Sequence, residues 1–155
     1  MNIAIGSDHA GFPLKERIKA HLSAIGHQCR DFGTYSDAST DYPDYGLPAA
    51  EAVAKGDVDR GILICGTGIG MSVVANKVPG IVAALCTSTE MADLSRRHNN
   101  ANILTLGGRI TSEEEALKIV EVWLHTPFEG GRHARRVGKI RTYEEQIRDC
   151  SVYSK

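Results

Sequence analysis

Cys65 stands immediately before the run Gly66-Thr67-Gly68-Ile69-Gly70-Met71-Ser72. Glycine can adopt the positive φ angles that turn successive backbone N–H groups toward one point, and such a nest binds an anion. A thiol entering the nest at the start of a helix meets the positive end of the helix dipole, which favours the thiolate and suits it to act as base or nucleophile. The same N–H donors can steady a developing oxyanion. Together these capacities describe removal of a proton next to a carbonyl group. The loop is not a Walker loop, because no Gly-Lys-Ser/Thr follows, and its third glycine is misplaced for a dinucleotide fingerprint. Tight helix–strand packing would explain the three glycines by themselves; the thiol in front of them shifts the balance toward chemistry.

Other reactive side chains fall near the ends of the elements. Asp8-His9 follows the first β-like run, His98-Asn99 ends a helical run, and Arg109 follows another β-like run. Each has a plainer reading, since Asp8-His9 could cap the next helix and His98-Asn99 could close the last turn of theirs. The run Arg132-His133-Ala134-Arg135-Arg136 is more often a solvated face than a site. Arg132 and Arg136 are nevertheless four apart, so a helix would aim both guanidiniums the same way, as a phosphate requires. A Cys/His hydrolase competes with the proton-transfer reading, because spacing alone does not say whether His98 meets Cys65. Lys77, Lys139 and Arg141 read as surface charge.

The elements that must position these groups alternate β-like with helical runs, each switch marked by Gly, Pro or a capping residue, which is the pattern of a parallel α/β sheet. Asn2 to Ser7 predicts the first strand; a helix follows with Pro13 in its first turn and an apolar stripe of Leu14, Ile18, Leu22 and Ile25, closed by Gly26. Gln28 to Phe32 predicts a polar edge strand. The polar segment from Gly33 to Tyr45 predicts a long loop before a helix from Leu47 to Lys55. Gly61 to Cys65 is almost wholly apolar, as a central strand covered on both faces should be. Val82 to Leu85 and Ile103 to Leu106 predict the last two strands. Thr87 with Glu90, and Ser112 with Glu115, have capping-box spacing for the helices that follow. In such a sheet ligands gather beyond the carboxyl ends of the strands, so Asp8, His9, Cys65, His98, Asn99 and Arg109 are all expected there. Arg132 to Lys155 holds only scattered apolar residues and should need the core, or another subunit, to lie against.

The whole chain of 155 residues fits one domain of about 1–155. Eighteen basic and nineteen acidic residues nearly cancel, so no general field draws it to nucleic acid or an anionic membrane. No apolar run is long enough to span a bilayer, and residues 1–6 lack an export signal. Cys29, Cys65, Cys86 and Cys150 form no CxxC pair and no His/Cys cluster, which suits reduced thiols in the cytoplasm.

With these motifs in order, the sequence resembles ribose-5-phosphate isomerase type B, in the family that also holds galactose- and allose-6-phosphate isomerases. The resemblance runs from Asn2 to about Glu145. It is carried by Gly6-Ser7-Asp8-His9-Ala10-Gly11-Phe12, Asp41-Tyr42-Pro43, Gly61 to Ser72, Ala75-Asn76-Lys77, Arg97-His98-Asn99 and Glu129-Gly130-Gly131-Arg132-His133. It implies a three-layer α/β/α Rossmann-like sandwich with a five-stranded parallel sheet and a C-terminal helical extension at about 132–155 packing on a partner subunit. It implies interconversion of ribose 5-phosphate and ribulose 5-phosphate through an enediolate, with no cofactor and no metal. Cys65 matches the base that moves a proton between C2 and C1, Thr67 the hydroxyl beside it, and the backbone of Gly66, Gly68, Ile69 and Gly70 the anion hole. His98 matches the residue that opens the furanose ring, with Asp8 handling hydroxyl protons. Tyr42 and Asn99 match sugar contacts, and His9, Arg109, Arg132 and Arg136 match phosphate ligands, the last two arriving from the partner of a homodimer that in some members pairs into a tetramer. A hexose-6-phosphate isomerase and a non-catalytic sugar-phosphate-binding module are the rival readings. Val82 stands where relatives often carry arginine, and the end beyond Glu145, with Cys150 and Tyr153, has no clear counterpart.

Overall fold

A computed structural model describes residues 1–148; Cys150 and Tyr153 lie outside the described residues. The elements run β1 (Asn2–Ser7), α1 (Phe12–Ala24), β2 (Gln28–Asp31), α2 (Pro43–Lys55), β3 (Arg60–Cys65), α3 (Ile69–Ala75), β4 (Ala83–Leu85), α4 (Thr89–Asn99), β5 (Ile103–Gly107), α5 (Glu113–His125) and α6 (Gly131–Arg148). Five strands form one parallel sheet in the order β2-β1-β3-β5-β4. Side chains alternate across it: Ile62 and Ile64 pack with α1 and α5, whereas Leu63 and Cys65 face α2 and α3. Both faces are therefore covered, and β3 is buried from Gly61 to Cys65, as its apolar run requires. The result is a three-layer α/β/α sandwich with α6 as a helical extension. Among the described residues no helix is long and apolar enough to cross a membrane.

Local sequence accounts for most boundaries. Pro13 lies in the first turn of α1, and Ser112 Oγ accepts from the Glu115 amide to start α5. Four expectations need correction. The cap of α4 is Ser88, whose Oγ accepts from Met91 N at 3.2 Å, and not Thr87. The C-terminal residue of α4 in left-handed conformation is Asn100, φ 51°, so neither His98 nor Asn99 serves as that cap. Ile25 belongs to the helix end and is 40% exposed, while Lys15 takes a buried place beside Leu14 and Ile18. The fourth is α2, which begins at Pro43, four residues before the expected start. Gly46, between the expected loop and helix, lies inside α2, where α3 approaches so closely that a Cβ would lie 2.8 Å from Met71 Sδ.

Lys15 is the most unusual core residue. Its side chain is wholly buried, and Nζ donates to both carboxylate oxygens of Asp31 at 2.7 and 2.9 Å while lying 4.9 Å from the Tyr35 ring centre. Asp31 also accepts from Lys19 Nζ and the Gly33 amide. Burial would raise the Asp31 carboxyl, but these hydrogen bonds outweigh it and hold the group below its ordinary range. The ion pair thereby anchors the start of the loop between β2 and α2. Replacing Lys15 with Ala is expected to cost about 3 kcal/mol, the low end for breaking a buried pair because Lys19 still faces Asp31. Because the folded carboxyl is held low, the stability it contributes is present above about pH 4 and lost as pH falls through the folded value. Urea unfolding should therefore show weakening on acidification in the wild type and a smaller loss over that window in Lys15→Ala.

Candidate active site

In a parallel sheet all carboxyl ends lie on one edge, and the register places three of them side by side. Ser7 pairs with Ile64 and Cys65 with Gly107. The chain leaving each strand is pinned to its neighbour: Asp8 N donates to Ile64 O, Gly108 N to Cys65 O at 2.8 Å, and Arg109 N to Gly66 O at 3.0 Å. Close approach there excludes side chains. A Cβ on Gly11 would lie 2.5 Å from Ile64 O, and one on Gly108 would lie 2.7 Å from Ala10 O. Gly68 has φ +79°, and a Cβ on it would meet Leu85 and Leu106 below 3 Å.

Cys65 is the last residue of β3, and its Sγ accepts from the Gly68 amide at 3.2 Å. The sulfur is buried but faces the turn rather than lying behind the sheet. Thr67 is exposed in that turn, and its Oγ1 accepts from the Ile69 amide at 3.3 Å. Tyr42 lies across Gly70 so closely that a Cβ there would sit 2.9 Å from the ring. Arg109 runs beside Gly66, with Cδ and Nη1 both 3.5 Å from the place of a Cβ. Asp8 Oδ1 accepts from the Gly11 amide at 3.0 Å, so this buried carboxylate does form the turn into α1. His9 Nδ1 accepts from the Thr40 amide at 3.2 Å, which in the neutral ring leaves the proton on Nε2 as a donor. Asp8, His9, Tyr42, Cys65, Thr67, Gly66 to Gly70 and Arg109 thus share one edge. A carbonyl compound bearing an anionic group would find there a sulfur, the backbone of a glycine turn, a carboxylate and two cationic or donor groups. Burial pushes the Cys29 thiol up, and takes that of Cys86 up to about 11.

His98 and Asn99 do not join this group within one chain. α4 runs back antiparallel to the strands, and the residues after it begin β5: Asn102 N donates to Val82 O, and Gly61 N donates to Asn102 O. Those are the amino ends of the sheet, and a strand of this length separates the two edges by roughly 15 Å. The expectation that a helix following β4 would deliver its last residues to the carboxyl edge is therefore corrected. α6 lies at the amino edge too, packed on α4 through buried His133 and Val137, with Glu144 Oε2 accepting from the Gly80 amide at 2.8 Å. Arg132 and Arg136 are exposed on it.

Beside them is an arrangement that sequence reasoning missed, although Glu129 and His133 stood within a quoted motif. The His98 and His133 rings are stacked, 4.2 Å between centres and 7° from parallel. Glu129 Oε2 lies 3.4 Å from His133 Nε2 and 3.9 Å from His98 Nε2. Arg97 Nε donates to Glu129 Oε1 at 2.6 Å and, with its other nitrogens, holds that carboxyl low. Burial, followed by the nearby His98 and Arg132, pushes the His133 imidazole down. The two rings and the carboxylate bring ligand atoms within 4.8 Å of one another. Parallel rings, however, direct their nitrogen lone pairs in parallel planes and not toward one ion, and Arg97 already holds one carboxylate oxygen.

The chain is similar to proteins of known structure. The chain is 50% identical over 144 residues to ribose-5-phosphate isomerase B of Escherichia coli, covering 93% of this chain and 97% of that one. Among solved structures, ribose-5-phosphate isomerase B of Clostridium thermocellum superposes with a TM-score of 0.93 at 56% identity, covering 95% and 99% of the two chains. That of Mycoplasma genitalium with bound ribulose 5-phosphate gives 0.89 at 49% identity, covering 93% and 96%. Residues 3–140 match the family described as Ribose/Galactose Isomerase, and to that family this chain, with its cysteine-bearing glycine loop at the carboxyl edge, belongs.

Proposed function

We propose that the chain interconverts ribose 5-phosphate and ribulose 5-phosphate through an enediolate, each site being completed by a second copy of the chain. The observation that carries the reading is Cys65 Sγ seated against the Gly68 amide at the carboxyl edge, beside Thr67 and Arg109. Ribose 5-phosphate closes on itself as a furanose, so its ring must open before the C2 proton becomes acidic. In this reading His98 moves the proton between the ring oxygen and O1. The Cys65 thiolate then takes the proton from C2, the electron pair forms the C1–C2 double bond, and O1 becomes the oxyanion. Loop amides from Gly66 to Gly70 stabilise that charge. The O2 proton passes to O1, relayed by Asp8 or Thr67, the electrons left on O2 form the ketone C=O, and the C1–C2 pair takes the proton back from the Cys65 thiol onto C1, which restores the thiolate. His9 and Arg109, with Arg132 and Arg136 of the second copy, hold the phosphate and keep the short sugar in register.

The separation of the two edges supports the second copy. Cys65 and His98 of one chain are too far apart to act on one sugar, but a two-fold pairing that sets one chain's carboxyl edge against the other's amino edge builds two equal sites. The exposed face of α6 would then pack on that partner. Ile69 and Ile110, 57% and 60% exposed beside the Cys65 turn, give such a contact an apolar rim. Free thiols at Cys29, Cys65 and Cys86 suit a reducing compartment such as the cytoplasm.

Cys65→Ala is expected to lower turnover of ribose 5-phosphate by about 1,000-fold or more, with thermal unfolding little changed, since a general base is removed and a small buried group is kept. Solvent deuterium should enter the sugar at C1 or C2 only with Cys65 intact; near-normal turnover in the variant would remove the residue from its role. Arg136→Ala should raise KM roughly tenfold while kcat stays close to wild type, the signature of a lost charged phosphate contact. Turnover of ribose 5-phosphate should exceed that of allose 6-phosphate. Mixing the inactive Cys65→Ala and His98→Asn proteins should restore about a quarter of wild-type activity, because half the dimers are mixed and each has one intact site. No recovery after subunit exchange would place both residues in one chain's site.

A further inference from the structure

We propose that His133 is a positioning residue for His98, holding its imidazole by face-to-face stacking so that proton transfer to the sugar's ring oxygen is aligned. This rests on the ring-opening role given to His98 above. His98 ends α4 with its side chain about one-third exposed, where an imidazole would otherwise sample several rotamers. His133 comes from the first turns of α6, is 6% exposed, and lies flat against the His98 ring at 4.2 Å. Its Nε2 is buried and forms no aligned hydrogen bond, although Glu129 Oε2 is only 3.4 Å away. With no hydrogen bond made by that nitrogen, the flat face laid against His98 is what the ring contributes. The geometry is that of a support beneath a working group.

The support is itself braced. His133 N donates to Gly130 O at 3.0 Å, Glu129 N donates to Arg97 O at 3.1 Å, and the Arg97 guanidinium bridges Glu129 and Asp93. The turn from Thr126 to Gly130 is thus tied to α4 next to His98. Two imidazoles at this spacing repel if both are protonated, and burial already disfavours a charge on His133. His133 lies beneath, and the partly exposed His98 ring is the one a sugar can reach, with Glu129 Oε2 3.9 Å from its Nε2.

Ribulose 5-phosphate provides the discriminating substrate. Its C5 oxygen carries the phosphate, so it cannot close to a furanose, and exchange of its C1 hydrogen with solvent needs the Cys65 step alone. In His133→Ala, kcat for ribose 5-phosphate is expected to fall about 10- to 100-fold, as misplacing an aligned group does. Deuterium entry at C1 of ribulose 5-phosphate should stay within about twofold of wild type, because ring opening is bypassed. His133→Phe, which keeps a flat ring, should restore ribose 5-phosphate turnover to within about threefold of wild type. Parallel loss of both reactions, no loss of either, or failure of Phe to rescue would overturn the proposal. Should His133→Ala fail to fold, the Phe variant and the wild-type spectrum still decide. The His98 ring protons should be shifted upfield by the neighbouring ring, and an unshifted resonance in the folded protein rules the stack out. If wild type itself leaves ribose 5-phosphate untouched, or turnover survives in Cys65→Ala, the proposed function falls instead, and the spectrum alone judges the stack.

Discussion

The polarity of the parallel sheet is the constraint on which the rest of this molecule depends. β1, β3 and β5 point the same way, so Ser7, Cys65 and Gly107 finish on one edge within hydrogen-bond reach of the next chain. A helix returning from that edge must end on the other, and this alone puts His98 and Asn99 opposite Cys65. On the proposed function, neither edge alone would carry the complete set of groups, and two copies related by a two-fold axis would supply it without any change of fold.

The carboxyl edge is rigid for reasons that begin in sequence. β3 is apolar and covered on both faces, so the residue at its end cannot drift, and Cys65 inherits that rigidity. Around it the backbone approaches so closely that Gly11, Gly68, Gly107 and Gly108 leave no room for a Cβ. The loop above the site is secured from the side by a buried lysine: Lys15 holds Asp31, Asp31 holds the Gly33 amide, and the same loop goes on to give the Thr40 amide to His9 and the Tyr42 ring to Gly70. A charge in the core thereby serves the placement of groups well beyond it.

The amino edge is organised differently, by side chains rather than backbone. Arg97, Glu129, His98 and His133 form a braced cluster in which one imidazole is buried and the other faces solvent. Its members come from α4, from the turn before α6 and from α6 itself, so the helical extension is bound to the chemistry of the edge it covers.

Much of this was legible in the residues. β1, β3 and β5 declared themselves by short apolar runs, α5 by Ser112 and Glu115, and the Cys65 turn by its glycines, because periodicity, capping and turn chemistry act over a few residues. Local signals left some boundaries open: Ser88 caps α4 beside Thr87, and α2 runs through Gly46, where α3 lies too close for a side chain. Lys15 went inward because Asp31, sixteen residues later, met it there. The sequence by itself determined the fold class and the family. Only tertiary structure decided which edge of the sheet each group occupies and that His133 lies beneath His98, since both follow from contacts between segments far apart in the chain, about which local patterning carries no information.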